Sequence, residues 1–330
     1  MRPRAGHRAW VLTRAWVLAL TLAVGLLAVG CAARPASTPR SEPQLVIYAT
    51  IYPLYDFAVR LVGERGTVKL LLPPGGDAHS WEPGVEALRS LQEADLLIYN
   101  GAGLEPWVSK VVAAAGNPRL RLVEASRGIA LLPAGETREF GGGSHDAPSQ
   151  RAGGSTAAYD PHVWLDPLRA RQQAANILEG LAAVDPEGKD YYAARYGVLA
   201  RRLEQLDFLY RTLLTGRRFR TLVVSHAAFG YLASRYGLEQ VALTGAHAGA
   251  EPGPQELARV VDLAREQGLK YVFADETHGL RVAQAVAREL GAEVVNLHAL
   301  ASLTSEQQDA GEDYFSLMED NLVRLHRGLE

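Results

Sequence analysis

Two short stretches of this chain set a histidine two residues before a tryptophan. DAHSWEP, residues 77–83, holds His79 and Trp81, and DPHVWLDP, residues 160–167, holds His162 and Trp164. With only 9 histidines in 330 residues, a repeated setting suggests two halves of one metal site rather than two unrelated loops. Two more histidines end apolar runs: His226 closes TLVVSH (221–226) and His298 closes AEVVNLH (292–298). Imidazole nitrogen suits zinc, copper, iron and nickel, whereas manganese and magnesium prefer carboxylates and water. A site of three or four histidines therefore points first to Zn2+, held tetrahedrally, with Mn2+ as the alternative. Asp160, Asp166 and Glu82 stand close enough in sequence to fix imidazole tautomers. They could equally cap helices, and Asp166 before Pro167 reads as a cap. His247 also follows an apolar run, while His145 and His278 sit in loops and carry weaker claims. Trp81 and Trp164, so close to their histidines, are expected to line the site.

The elements that must position these residues follow from periodicity. LVIYATI (45–51), TVKLLLP (67–73), DLLIYNG (95–101) and LRLVEAS (120–126) are short apolar runs bounded by turn residues, the mark of buried strands. TLVVSH, EQVALTG (239–245), KYVFAD (270–275) and AEVVNLH repeat the pattern, with helical stretches between the runs in both sets. This alternation predicts an α/β fold: two βα lobes with mostly parallel sheets, over 45–185 and 217–330. Between them, Tyr192, Tyr196, Leu199, Leu203, Leu206, Tyr210 and Leu213 form a single-faced helical stripe. The spacing predicts one long helix over 186–216 joining the lobes. It is too short for sustained heptads, so we expect it packed along both lobes rather than paired with a second copy. In open parallel sheets ligands bind outside the carboxyl ends of the strands. His226, His298, His79 and His162 all fall on that edge or just beyond it, and facing lobes would bring them into one cleft. Residues 139–159, rich in Gly, Ser and Ala, read as a mobile loop.

The amino terminus bounds the compartment. Arg2, Arg4, Arg8 and Arg14 precede the apolar run AWVLALTLAVGLLAVG, which ends at Cys31. This reads as a signal peptide over 1–30, too short for a spanning helix. LLAVGC resembles a bacterial lipobox, making Cys31, the single cysteine, a lipid attachment point. Residues 31–44, rich in Pro, Ser and Ala, then form a disordered tether. The expected location is extracytoplasmic, anchored to the cell membrane. A net charge of -3 gives no reason to invoke nucleic acid.

Six stretches, PPGGDAHSWEP, EADLLIYNGAGLEPW, DPHVWLDP, VVSHAAFGYLASRYGL, EPGPQEL and DYFSLMEDNLVRL, give the chain a resemblance to a family. It resembles the metal-binding solute-receptor lipoproteins of ABC importers, the zinc and manganese group called cluster A-I or cluster 9, over nearly the whole mature chain. The resemblance implies two βα lobes joined by a long helix, and a receptor that hands Zn2+ to an ABC transporter permease; we expect a monomer. It implies His79, His162 and His226 as ligands. The fourth ligand, often Asp or Glu in manganese members, falls here on His298. Asp275 and Glu276 are its rivals, and the family pattern makes Glu276 a loop-fixing residue. Many zinc members carry a His-rich acidic loop before the third motif, whereas here that loop offers only His145 and Asp146. Within the family the alternative is a manganese or iron receptor. From other classes, a surface adhesin has no distinguishing sequence feature. A zinc hydrolase would need an open coordination position and a base. No HExxH motif exists, and Glu276 is the one plausible base.

Overall fold

The apolar runs pair into two sheets of four strands, and every pairing is parallel. The computed structural model describes residues 44–134, 159–245, 253–275 and 279–330. The first sheet holds β1 (Leu45–Ala49), β2 (Gly66–Leu70), β3 (Leu96–Tyr99) and β4 (Arg121–Glu124), in the order β2-β1-β3-β4. The second holds β5 (Thr221–His226), β6 (Glu239–Thr244), β7 (Tyr271–Ala274) and β8 (Glu293–Asn296), in the order β6-β5-β7-β8. Parallel neighbours require crossovers. In the first lobe these are α1 (Tyr52–Val62), α2 (Val85–Gln92) and α3 (Val108–Ala115). Two helices, α4 (Pro167–Val184) and α5 (Lys189–Leu214), lead to the second lobe. There α6 (Gly230–Tyr236), α7 (Pro254–Gln267) and α8 (Leu280–Leu290) alternate with strands, and α9 (Ser305–Asp309) and α10 (Tyr314–Gly328) follow. Each sheet reverses its strand order once, between β1 and β3 and between β5 and β7. Ligands bind outside the carboxyl ends of strands at such points.

The expected strands are all present, and all but β5, which keeps the bounds 221–226, are shorter than their apolar runs. The run 292–298 pairs only to Asn296, so His298 lies two residues beyond the strand rather than ending it. Leu297 still donates its N–H to Ala274 O at 2.8 Å, after which the chain turns into a buried loop. Apolar sequence continues past the last ladder bond because the loop, too, is buried. The signal segment, Cys31, the tether up to residue 43, Glu276, His247 and all of the 139–159 loop except Tyr159 lie outside the described residues.

Packing explains why the two lobes hold together. One hydrophobic cluster runs through both and includes Ile47, Phe57, Trp164, Leu203, Phe273 and Tyr314, all at most 2% exposed. The outer face of each sheet has its own smaller core. Leu91, Leu97 and Val108 fill the space under α2 and α3, and Val241, Val260 and Val286 fill that under α7 and α8.

The joining helix α5 starts later than its sequence suggests. Pro186–Gly188 forms a separate 3-10 turn, whose Gly188 N–H donates to the Asp185 carboxylate at 3.3 Å. From Lys189 onward Tyr192, Leu199, Leu203, Leu206 and Tyr210 are buried on one face. That face packs on α1 and α4 of the first lobe and on α6 and α10 of the second. Tyr210 Oη donates to Met318 O at 2.6 Å, pinning the helix to α10.

Leu203, fully buried, and Phe208, 64% exposed, test this orientation. Leu203→Ala should cost about 2–5 kcal/mol in urea unfolding, whereas Phe208→Ser should change stability by less than about 0.5 kcal/mol. Equal effects would contradict the packing of α5.

Candidate metal centre

Each histidine reaches the site by a different local device. His79 lies in the loop after β2, where the Asp77 carboxylate accepts the His79 N–H at 2.8 Å and the Ser80 hydroxyl at 2.7 Å. The same loop is tied to the second lobe, because Gly75 N donates to Leu303 O at 2.8 Å. His226 is the last residue of β5, beside the strand reversal of the second sheet. His162, only 1% exposed, precedes a turn of 3-10 helix and α4. Asp166 is the N-cap of α4, accepting the N–H groups of Leu168 and Arg169 at 2.9 and 3.3 Å. It also pairs with Arg169 and with Arg235 of α6, so its charge is fully matched although buried.

Asp160 governs His162. One carboxylate oxygen accepts both the backbone N–H, at 2.9 Å, and Nδ1–H, at 2.8 Å. That bond fixes the tautomer and turns the Nε2 lone pair into the cleft, as a carboxylate does behind many metal-bound histidines. The His162 and His79 Nε2 atoms lie 3.1 Å apart. The three ring centroids are separated by 5.1, 5.1 and 4.9 Å. One donor nitrogen from each of His79, His162 and His226 lies within 4.8 Å of the other two. Tetrahedral zinc with Zn–N near 2.0–2.1 Å requires nitrogens about 3.4 Å apart, so small ring movements suffice. The cavity they share is about 20 Å³, room for a water-sized occupant.

His298 and Asp275 line the same cavity. The His298 peptide is clamped at both ends by Asn321, which accepts its N–H and donates to its carbonyl, each at 2.8 Å. Its imidazole turns towards α9 and α10: Nε2 lies 3.4 Å from Asp320 Oδ2, and Nδ1 lies 3.3 Å from Gln307 Nε2. Asp275, 6% exposed, follows β7 next to β5, and its N–H donates to Ser225 Oγ at 3.1 Å. Of the tryptophans, Trp164 sits behind His162 with ring centroids 5.3 Å apart, and Trp81 packs edge-on against Trp107 at 5.4 Å. Neither is among the residues on the cavity wall.

Sequence reasoning passed over several supporting residues. Asn100 donates to Pro161 O at 2.9 Å, immediately before His162, and accepts from Gln173 at 2.8 Å. Glu105 in turn accepts the N–H of Asn100 at 2.8 Å, that of Gly101 at 3.0 Å and the Thr50 hydroxyl at 2.5 Å. Asn100, Gly101 and Glu105 lie in NGAGLEPW, where the unusual run of turn residues ahead of an acid was the available signal. Gln307 and Asp320 carried none, since their role depends on how α9 and α10 pack.

These features define a two-lobed solute receptor with an ion-binding cleft between its lobes. Comparison with known proteins gives the family. The family described as the zinc-uptake complex component A, periplasmic, matches residues 47–328, and the chain belongs to it. It is 34% identical over 302 residues to the high-affinity zinc uptake system protein ZnuA of Bacillus subtilis, covering 92% of this chain and 93% of that one. To the zinc-binding lipoprotein AdcA of Streptococcus pneumoniae it is 32% identical over 308 residues, spanning 93% of this chain but 60% of AdcA. The crystal structure of the Zn(II)-bound ZnuA-like domain of that AdcA superposes with a TM-score of 0.72 at 31% identity, covering 87% of this chain and 99% of the domain.

Burial pushes the Glu105 carboxyl up from its ordinary 4.5 to about 7, against the pull of its three donors. A raised folded value means that its contribution to stability is complete below about 4.5 and is lost as pH climbs through 7. Glu105→Gln should therefore flatten the fall in melting temperature between those values. An unchanged slope would show that Glu105 titrates normally.

Proposed function

We propose that the chain captures Zn2+ outside the cytoplasm and hands it to the membrane permease of an ABC importer. The observation that carries this reading is the convergence of His79, His162 and His226, drawn from both lobes, on one ion-sized cavity. Three neutral nitrogens favour zinc over manganese, which seeks carboxylates and water. The work is capture and release, without turnover. The lipid of the anchored form is carried on Cys31.

His298 is the fourth donor in this proposal. With Asp320 holding Nε2–H, Nδ1 is the nitrogen left to bind, and the ion would displace the Gln307 amide from it. Four imidazoles close the shell and leave no position for an attacking water. A manganese receptor would instead draw in Asp275 at the same edge.

Zinc affinity by competition with a chelator tests these roles. Asp160→Asn should weaken binding about 10- to 100-fold through the loss of tautomer control, and His298→Ala should weaken it at least about tenfold. Zinc held as tightly by His298→Ala as by the parent would remove His298 from the shell. Asp275→Asn would then be the damaging substitution.

A further inference from the structure

A second cavity, about 230 Å³, opens between α1 and α5 and is lined by Arg60, Arg195, Val198, Leu199 and Arg202. It shares no lining residue with the histidine cavity. Helix α1 leaves β1 at the carboxyl edge of the first sheet and returns to the start of β2, so Arg60 in its last turn stands near the opposite edge. The four residues from α5 fall on one helical face, three, four and seven apart.

Arginines on a helix surface are ordinarily solvated. What sets these apart is how unevenly their charge is matched. Arg60 is committed: it holds Asp56 at 2.7 and 3.1 Å and Asp313 at 2.8 Å. Arg202 lies over the Phe315 ring at 3.9 Å and reaches Asp313 only at 3.7 Å. Arg195 meets no carboxylate among the described residues; its Nε donates to Arg60 O at 2.6 Å and its guanidinium lies over Tyr191 at 5.5 Å. Three cations thus face two carboxylates, and the outer N–H groups of Arg195 and Arg202 remain as donors. Beside them Val198 is 62% exposed, an apolar wall next to a cationic one.

We propose that this cavity takes the phosphate of an anionic lipid headgroup. Guanidinium donors match phosphate oxygens in pairs. A free phosphate ion would gain nothing from the apolar wall and would leave much of the cavity empty. A glycerophosphate headgroup uses both, with its oxygens on Arg195 and Arg202 and its carbon backbone against Val198 and Leu199. The described chain also begins close by. Gln44 donates to Glu64 O at 3.5 Å, the Glu64 N–H donates to Tyr191 Oη at 3.2 Å, and the Tyr191 ring carries Arg195. Twelve residues lie between Cys31 and Gln44, a reach of at most about 45 Å. In the proposed anchored form the chain therefore enters the folded part on the side of Tyr191 and Arg195, beside this cavity. The inference rests on the proposed anchoring for this proximity, but not on zinc binding.

Sedimentation of full-length protein with vesicles tests it. Phosphatidylcholine vesicles set the baseline for the parent, for Arg195→Ala/Arg202→Ala, and for the control pair Arg259→Ala/Arg281→Ala. Adding phosphatidylglycerol should raise the apparent affinity of the parent and the control about tenfold and leave the Arg195/Arg202 variant near its baseline. Melting curves recorded in parallel show whether the variant is folded, independently of zinc. An equal gain in all three proteins, or an equal loss in the control, overturns the proposal. So does a phosphate-dependent rise in the parent's melting temperature, absent in the variant, with no difference on vesicles; the cavity would then be a free phosphate site.

Discussion

The hydrogen bond from His162 Nδ1 to Asp160 decides which nitrogen faces the cleft, and the rest of the site is arranged around it. An imidazole free to turn could offer either nitrogen, or neither. Asp160 removes that freedom and is itself fixed across the lobe boundary. Tyr231 of the second lobe donates its hydroxyl to Asp160 O at 2.6 Å, while Asp160 N donates to Leu132 O at 2.9 Å. The acid that orients the first lobe's histidine is therefore anchored to the helix that follows His226.

The same segment is fastened again further along. Trp164 Nε1 donates to Ala299 O at 2.7 Å, one residue past His298, and Tyr314 Oη donates to Trp164 O at 2.6 Å. Buried polar groups this well matched rigidify what they join, because breaking any one leaves its partner unsatisfied. With a continuous apolar core and the long helix packed on both sides, the lobes have little scope for wide hinge opening. Ion capture and release must then use local movement at the cleft. His298 is placed for that, since it lines the cavity while its Nδ1 rests 3.3 Å from the Gln307 amide of α9.

Much of this is legible in the sequence, for identifiable reasons. Buried parallel strands read as apolar runs, and His226 at the end of one is placed on the functional edge by that fact alone. The long helix is legible from the spacing of Tyr192 through Leu213, and Asp166 before Pro167 is legible as a cap. The boundaries are less so. The stripe says nothing of the Asp185 carboxylate that turns Pro186–Gly188 into a separate 3-10 turn, and an apolar run cannot show where pairing stops. Hence His298 sits beyond β8 rather than at its end. Its neighbours Gln307, Asp320 and Asn321 belong to helices whose docking no local pattern encodes. The same holds for Glu105, whose contacts with Thr50 and Asn100 depend on β1 lying beside β3.

The central claim is that imidazoles from both lobes share one zinc ion. X-ray absorption at the zinc edge of the loaded protein addresses it directly. The account predicts a first shell of nitrogen or oxygen near 2.0–2.1 Å, with the outer-shell scattering of at least three imidazole rings. Outer-shell scattering from fewer than three rings would contradict it.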